Sequence, residues 1–240
     1  MFLAFLNLQG NAYLCTYEEL QEWALVTAQC PEDKLTDLVM SIEVHPLEPF
    51  LPANARILFL GSFPPPQARW SMEFFYPNWI NDFWRIQGLI HFNDKACFEV
   101  ENEKRFDKKR IVEFCNEQGI ALFDTARKVR RLKDNADDNF LEIVEGTDVF
   151  ALLEQMPECM TIVTTGGKAS EELQGYLESH GIKVSIPKVG EYTLIDVALA
   201  SPPWEGPGEV LYWWRMPSSS RAYPMKLEKK AEYYSRLFNS

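Results

Sequence analysis

Arg56-Ile57-Leu58-Phe59-Leu60-Gly61-Ser62-Phe63-Pro64-Pro65-Pro66 is a short basic-to-apolar run that stops on a glycine turn. Four consecutive large apolar residues without alternation describe a strand covered on both faces, as in a parallel sheet. A second segment repeats the pattern near the other end of the chain: Val210-Leu211-Tyr212-Trp213-Trp214, then Arg215-Met216-Pro217-Ser218-Ser219-Ser220-Arg221. In open α/β sheets, ligands bind beyond the carboxyl ends of the strands, so the two turns nominate one site assembled from distant sequence. Three consecutive hydroxyls and their backbone amides suit a phosphate and offer nothing to a metal.

Working outward, the chain alternates between strands and helices. Asn81–Ile90 carries a helical stripe of Phe83, Trp84, Ile86 and Leu89, and Asp107–Gln118 is an amphipathic helix stopped by Gly119. Ile120–Phe123 is a strand ending at Asp124, Asp148–Met156 a helix, and Met160–Thr165 a strand. Gly166-Gly167-Lys168 leads into a helix over Ala169–His180, closed by Gly181. Lys183–Ile186 and Tyr192–Val197 read as extended, and Leu227–Leu237 as the closing helix. This order predicts an α/β fold, a three-layer α/β/α sandwich around a central, mainly parallel sheet. Residues 1–39 read as a helical appendage, with helices expected over Tyr17–Val26 and from Pro31, and residues 40–240 as the main domain. Met40 directly precedes the coherent pattern, and a native start there is an expectation.

Composition narrows the function classes. Of 240 residues, 46% are hydrophobic and 13% aromatic, enough for one substantial core and for an aromatic-lined pocket. Five cysteines, none in a C-x-x-C pair, and three scattered histidines give no support to a zinc or iron–sulfur site; no metal and no cofactor are expected. Reduced thiols suit a cytoplasmic protein. The opening Met1-Phe2-Leu3-Ala4-Phe5-Leu6 lacks a charged lead, and no apolar run is long enough to span a membrane, so no membrane partner is expected. Net charge is −11, of which residues 1–39 hold −5 and the rest −6. Within that remainder lie three basic clusters: Lys104, Arg105, Lys108, Lys109 and Arg110; Arg127, Lys128, Arg130, Arg131 and Lys133; and Arg221, Lys226, Lys229 and Lys230. The first is read as a solvated helix face, and the third, beside the serines, as a phosphate contact.

These motifs resemble the uracil-DNA glycosylase superfamily, over roughly residues 45–240. Met216-Pro217-Ser218-Ser219-Ser220-Arg221 with Tyr233-Tyr234 is similar to the thymine and mismatch-uracil branch. Gly61-Ser62-Phe63-Pro64 with Tyr76-Pro77-Asn78-Trp79-Ile80-Asn81-Asp82-Phe83-Trp84 is similar to the hypoxanthine branch. The resemblance implies a monomeric, monofunctional DNA glycosylase that hydrolyses the N-glycosidic bond of uracil or hypoxanthine in DNA. One departure stands out: Phe63 occupies the position of the water-holding Asn of the first branch. The resemblance to the hypoxanthine branch passes that role to Asn81, whose rival reading is a helix cap.

Base removal proceeds through an oxocarbenium-like transition state, so the protein has to orient a water, stabilise the departing base and extrude it from the duplex. The expected parts are Asn81 for the water and the amides of Ser62 and Phe63 for the base carbonyl. Gly61, Pro64, Phe75, Tyr76 and Asp124 would form the base pocket, with Phe63 or Phe74 as further stacking candidates. Ser218, Ser219, Ser220, Arg221 and Lys168 would contact DNA, with Arg221 or Met216 filling the vacated stack. Asp124 reads equally as a cap, and Gly166-Gly167-Lys168 lacks the spacing of a phosphate loop, its glycines allowing close packing. Asp137-Asp138-Asn139 reads as a solvated loop. Phe63 and the acidic charge keep a second reading open, a catalytically weakened lesion-binding protein of the same fold; an enzyme of free nucleotides is a third.

Overall fold

The structure, a computed structural model, describes residues 3–6, 12–15, 42–132, 140–206 and 208–238. The chain divides into two compact units, Met1–Ile42 and Glu43–Ser240. In the first, β1 (Leu3–Leu6) and β2 (Ala12–Cys15) form an antiparallel pair with Leu3 opposite Cys15. The helices expected at Tyr17–Val26 and after Pro31 lie outside the described residues, as do Met40 and Asp137-Asp138-Asn139.

The second unit is built on a five-stranded sheet and a smaller three-stranded one. The strands in chain order are β3 (Ile42–Val44), β4 (Ile57–Gly61), β5 (Ile120–Asp124), β6 (Ala126–Arg131), β7 (Leu141–Gly146), β8 (Thr161–Thr165), β9 (Tyr192–Asp196) and β10 (Val210–Met216). In the large sheet the order is β5-β4-β8-β10-β9, all parallel except the edge strand β9, which runs antiparallel to β10. Helices α1 (Phe83–Phe92), α2 (Lys108–Gln118), α3 (Val149–Leu153), α4 (Gly167–Ser179) and α5 (Leu227–Ser235) flank it. The result is the expected α/β architecture with a mixed sheet. Leu58, Phe59 and Leu60 of β4 are fully buried, as an unbroken apolar run demands of a strand covered on both sides. Asp107 caps α2 through the N–H of Arg110, and Gly119 closes it at φ 65°.

Two differences from the sequence reading have simple causes. Lys183–Ile186 forms no strand. Residues 126–131, read as a basic cluster, form β6, which pairs with β7 and β3 in the second sheet. Its charges are met across the strands: Lys128 by Glu145, Arg130 by Glu142 and Arg131 by Glu43. Alternation is broken by irregularities in the pairing with β7 between Ala126 and Val129, which bring these two, three positions apart, to the same inward face, where they pack with Leu141 and Phe63.

Candidate functional site

Four parallel strands deliver their carboxyl ends to one place. Gly61 ends β4, Asp124 ends β5, Thr165 ends β8, and the serine loop follows β10. Together they open onto a cleft of about 920 Å³. Thirteen of the residues the sequence nominated line it: Gly61, Ser62, Phe63, Pro64, Phe75, Tyr76, Asn81, Asp124, Lys168, Ser218, Ser219, Ser220 and Arg221. Phe74 and Met216 do not. Phe74 packs inside against Phe50 and Trp84, and Met216 is fully buried, which removes both from the stacking and wedge roles.

Close approach of backbone and side chain explains the first turn. A Cβ at Gly61 would lie 2.3 Å from Asp124 Oδ1, so only glycine lets that carboxylate fold over the turn. The Thr125 N–H donates to Gly61 O at 2.8 Å, joining the ends of β4 and β5. Phe63 is 8% exposed, its ring seated on the small sheet and edge-on to His45 at 5.4 Å. That packing holds the turn and leaves little of the ring for stacking, a correction to the expected role. The backbone N–H of Phe63 has no acceptor among the described residues. Arg131 Nη2 donates to Pro64 O at 3.1 Å, bracing the same turn from β6.

The second wall is aromatic. Tyr76 stacks on Phe83 at 3.7 Å and its hydroxyl lies 3.0 Å from Thr165 Oγ1. Burial, with the Asp124 charge beside it, pushes the Tyr76 phenol well above its ordinary value of 10. Phe75 packs on Phe74 and Phe123, and the Trp84 indole N–H donates to its carbonyl at 3.0 Å.

Asn81 sits just before α1, whose N-terminal residue Phe83 donates its N–H to Asn81 Oδ1 at 2.9 Å. The N-cap position is Asp82, so Asn81 is not the cap itself: its side chain makes a two-residue turn bond ahead of the helix, and the residue lines the cleft. Arg85, stacked over Trp79 at 4.4 Å and paired with Glu99, donates to the carbonyls of Trp79 and Asn81 at 2.7 and 3.0 Å.

The serine loop is clamped from beneath. Tyr234 donates its hydroxyl to Pro217 O at 2.9 Å. Lys230, fully buried, donates to Ser220 O at 2.8 Å and to Asp82 Oδ2 at 3.1 Å. Arg221 Nε meets the other Asp82 oxygen at 2.8 Å. The third basic cluster is thus not a stripe facing phosphate: Lys230 is internal, Lys229 pairs with Glu232, and Arg221 alone of the four lines the cleft. Gly166, at φ 111°, is where a Cβ would press on Ser218 Cβ at 3.4 Å, so the glycine lets the loop approach α4. Lys168 pairs with Glu172 one turn along the same helix.

Sequence reasoning missed four residues here. Arg69 lines the cleft with no ion pair among the described residues. Arg131, Asp82 and His45 act through partners 67 to 139 positions away, and no local pattern reveals them.

No family model and no curated protein matches the chain. Among solved structures it is similar to the solution NMR structure of a Methanosarcina acetivorans protein provisionally designated a uracil DNA glycosylase. The TM-score is 0.53 at 20% identity, over 83% of this chain and 99% of that one. At that identity the likeness is one of fold: over 83% of its length the chain shares the architecture of that protein.

Proposed function

We propose that this protein is a monofunctional DNA glycosylase that hydrolyses the N-glycosidic bond of a deaminated base, uracil or hypoxanthine. The observation that carries the reading is the convergence of the Gly61–Pro64 turn, Asp124, Asn81 and the serine loop on one cleft. An extruded base enters between Tyr76 and the first turn, at an unstacking cost of a few kcal/mol that is smallest at mispaired sites. The Phe63 N–H donates to a base carbonyl and strengthens that bond as the base departs with negative charge. Asn81 keeps a second lone pair on Oδ1 and both Nδ2 protons to hold the attacking water. Ser218, Ser219 and Ser220, with Arg69 and Lys168 on the rim, take the flanking phosphates, and Arg221 exchanges Asp82 for phosphate when DNA arrives. The DNA partner is engaged by a monomer.

One observation favours a second reading. Asn81 Oδ1 is already bonded to a backbone N–H, as in a purely structural turn, which suits a protein that binds lesions without cleaving them. Base release from uracil- or hypoxanthine-containing oligonucleotides separates the two. Abasic sites supports glycosylase chemistry; lesion binding without them supports the second.

A further inference from the structure

His45 lies in the segment between β3 and β4, where nothing in the sequence marks it. Its side chain is 2% exposed, among Phe123 at 4.6 Å, Phe63 at 5.4 Å and Phe75 at 6.2 Å between ring centres. Both ring nitrogens have partners. Nδ1 accepts the Leu47 N–H at 3.2 Å, beside Leu47 O at 2.8 Å, and Nε2 is 2.9 Å from Asp124 Oδ2. An ionised carboxylate only accepts, so the Nε2 proton points at Asp124. A two-point hold on the ring fixes the plane of the carboxylate it grips.

The consequence falls on the other oxygen. Asp124 Oδ1 overhangs Gly61 in the cleft wall and bonds no group among the described residues. Beside it, the Tyr76 hydroxyl is engaged with Thr165. The floor of the cleft therefore presents a fixed acceptor.

We infer that His45 is a positioning residue for Asp124, and that the pair makes the cleft select a ligand whose ring N–H donates to Asp124 Oδ1. This rests on the glycosylase reading and names what that site recognises. Uracil offers N3–H and hypoxanthine N1–H, so either fits; a base methylated at that nitrogen offers a methyl group to a carboxylate and is refused. A site built around one such bond discriminates against the analogue lacking it by about 10⁴-fold or more, because the buried acceptor is left without a donor.

The test compares base release from oligonucleotides carrying hypoxanthine or 1-methylhypoxanthine, by wild type, His45→Gln and His45→Leu. Wild type is expected to reject the methylated base by about 10⁴-fold or more. His45→Gln keeps an N–H donor for Asp124 and retains that discrimination. His45→Leu frees the carboxylate and narrows it, while raising KM for hypoxanthine DNA more than it lowers kcat. Comparable release of both bases by wild type, or unchanged discrimination in a folded His45→Leu, overturns the inference. Long-range proton–nitrogen NMR of the wild-type imidazole supplies a readout free of folding artefacts: a bare Nε2 also overturns it.

Should wild type release neither base, the glycosylase reading fails and the inference is judged separately. Free hypoxanthine is then expected to shift the Gly61 and Thr125 amide resonances, and 1-methylhypoxanthine to leave them in place. Equal shifts, or none with either, overturn it.

Discussion

Replacing Asp82 by Asn tests how the two walls of the cleft are joined. Asp82 precedes α1 and receives Arg221 Nε at 2.8 Å and Lys230 Nζ at 3.1 Å, while its own N–H donates to Ser219 O at 2.9 Å. Lys230 is fully buried, and its remaining acceptor is Ser220 O. The amide preserves volume and removes charge, so the ammonium stays buried opposite a neutral group. Breaking a buried pair in this way costs about 3–5 kcal/mol. Ser220 O and the retained amide oxygen offset part of it, leaving about 2–3 kcal/mol. For a unit of this size that lowers Tm by about 4–12 °C, read by calorimetry under reversible conditions. Lys229→Met, which removes the exposed pair with Glu232 and the cation over the Tyr233 ring, serves as control and is expected to shift Tm far less. Combining Asp82→Asn with Lys230→Met removes the stranded charge and recovers part of the loss. A fall below about 2 °C in Asp82→Asn, with no gain in the double variant, refutes the reasoning.

Three further outcomes follow from the geometry. Asn81→Ala removes the cleft amide and the bond to Phe83, so turnover falls about 100-fold or more while duplex binding persists; full turnover in a base-release assay returns Asn81 to a structural role. Arg69→Ala lowers DNA affinity and reduces the slope of log K against log salt by about 1, measured by fluorescence anisotropy, and Arg221→Ala does the same with a smaller loss at low salt because Asp82 competes for it. Burial among Phe114 and Phe238 pushes the His91 imidazole below its ordinary 6.5. Between the lowered value and 6.5 the unfolded chain binds more protons, so this contribution is full above pH 6.5 and is lost as pH falls; urea midpoints of His91→Leu are expected to depend less on pH below 6.5 than those of wild type.

Much of this was written locally. The unalternating run Ile57–Leu60, the glycine stop at Gly119 and the hydroxyls after Met216 each announce an element through their own neighbours, and parallel-sheet geometry does the rest by gathering the turns at one edge. What stayed hidden depends on long-range pairing. Arg221 looked like a free cation because Asp82 lies 139 positions away, and Lys230 looked exposed because a helix pattern cannot show which lysine turns inward. Phe63 stood in a turn motif, yet its ring answers to a sheet that the charge of β6 concealed. His45 carried no signal at all, since its meaning is a carboxylate 79 residues on.

The central claim is chemical, and one assay reaches it: incubation of wild-type protein with labelled oligonucleotides carrying uracil or hypoxanthine, single-stranded and duplex, followed by alkaline cleavage. Strand breaks at the modified position in at least one substrate, suppressed by Asn81→Ala, are the predicted result. Intact strands in every case, with the protein folded and the oligonucleotides cleavable by alkali at a control abasic site, would contradict it.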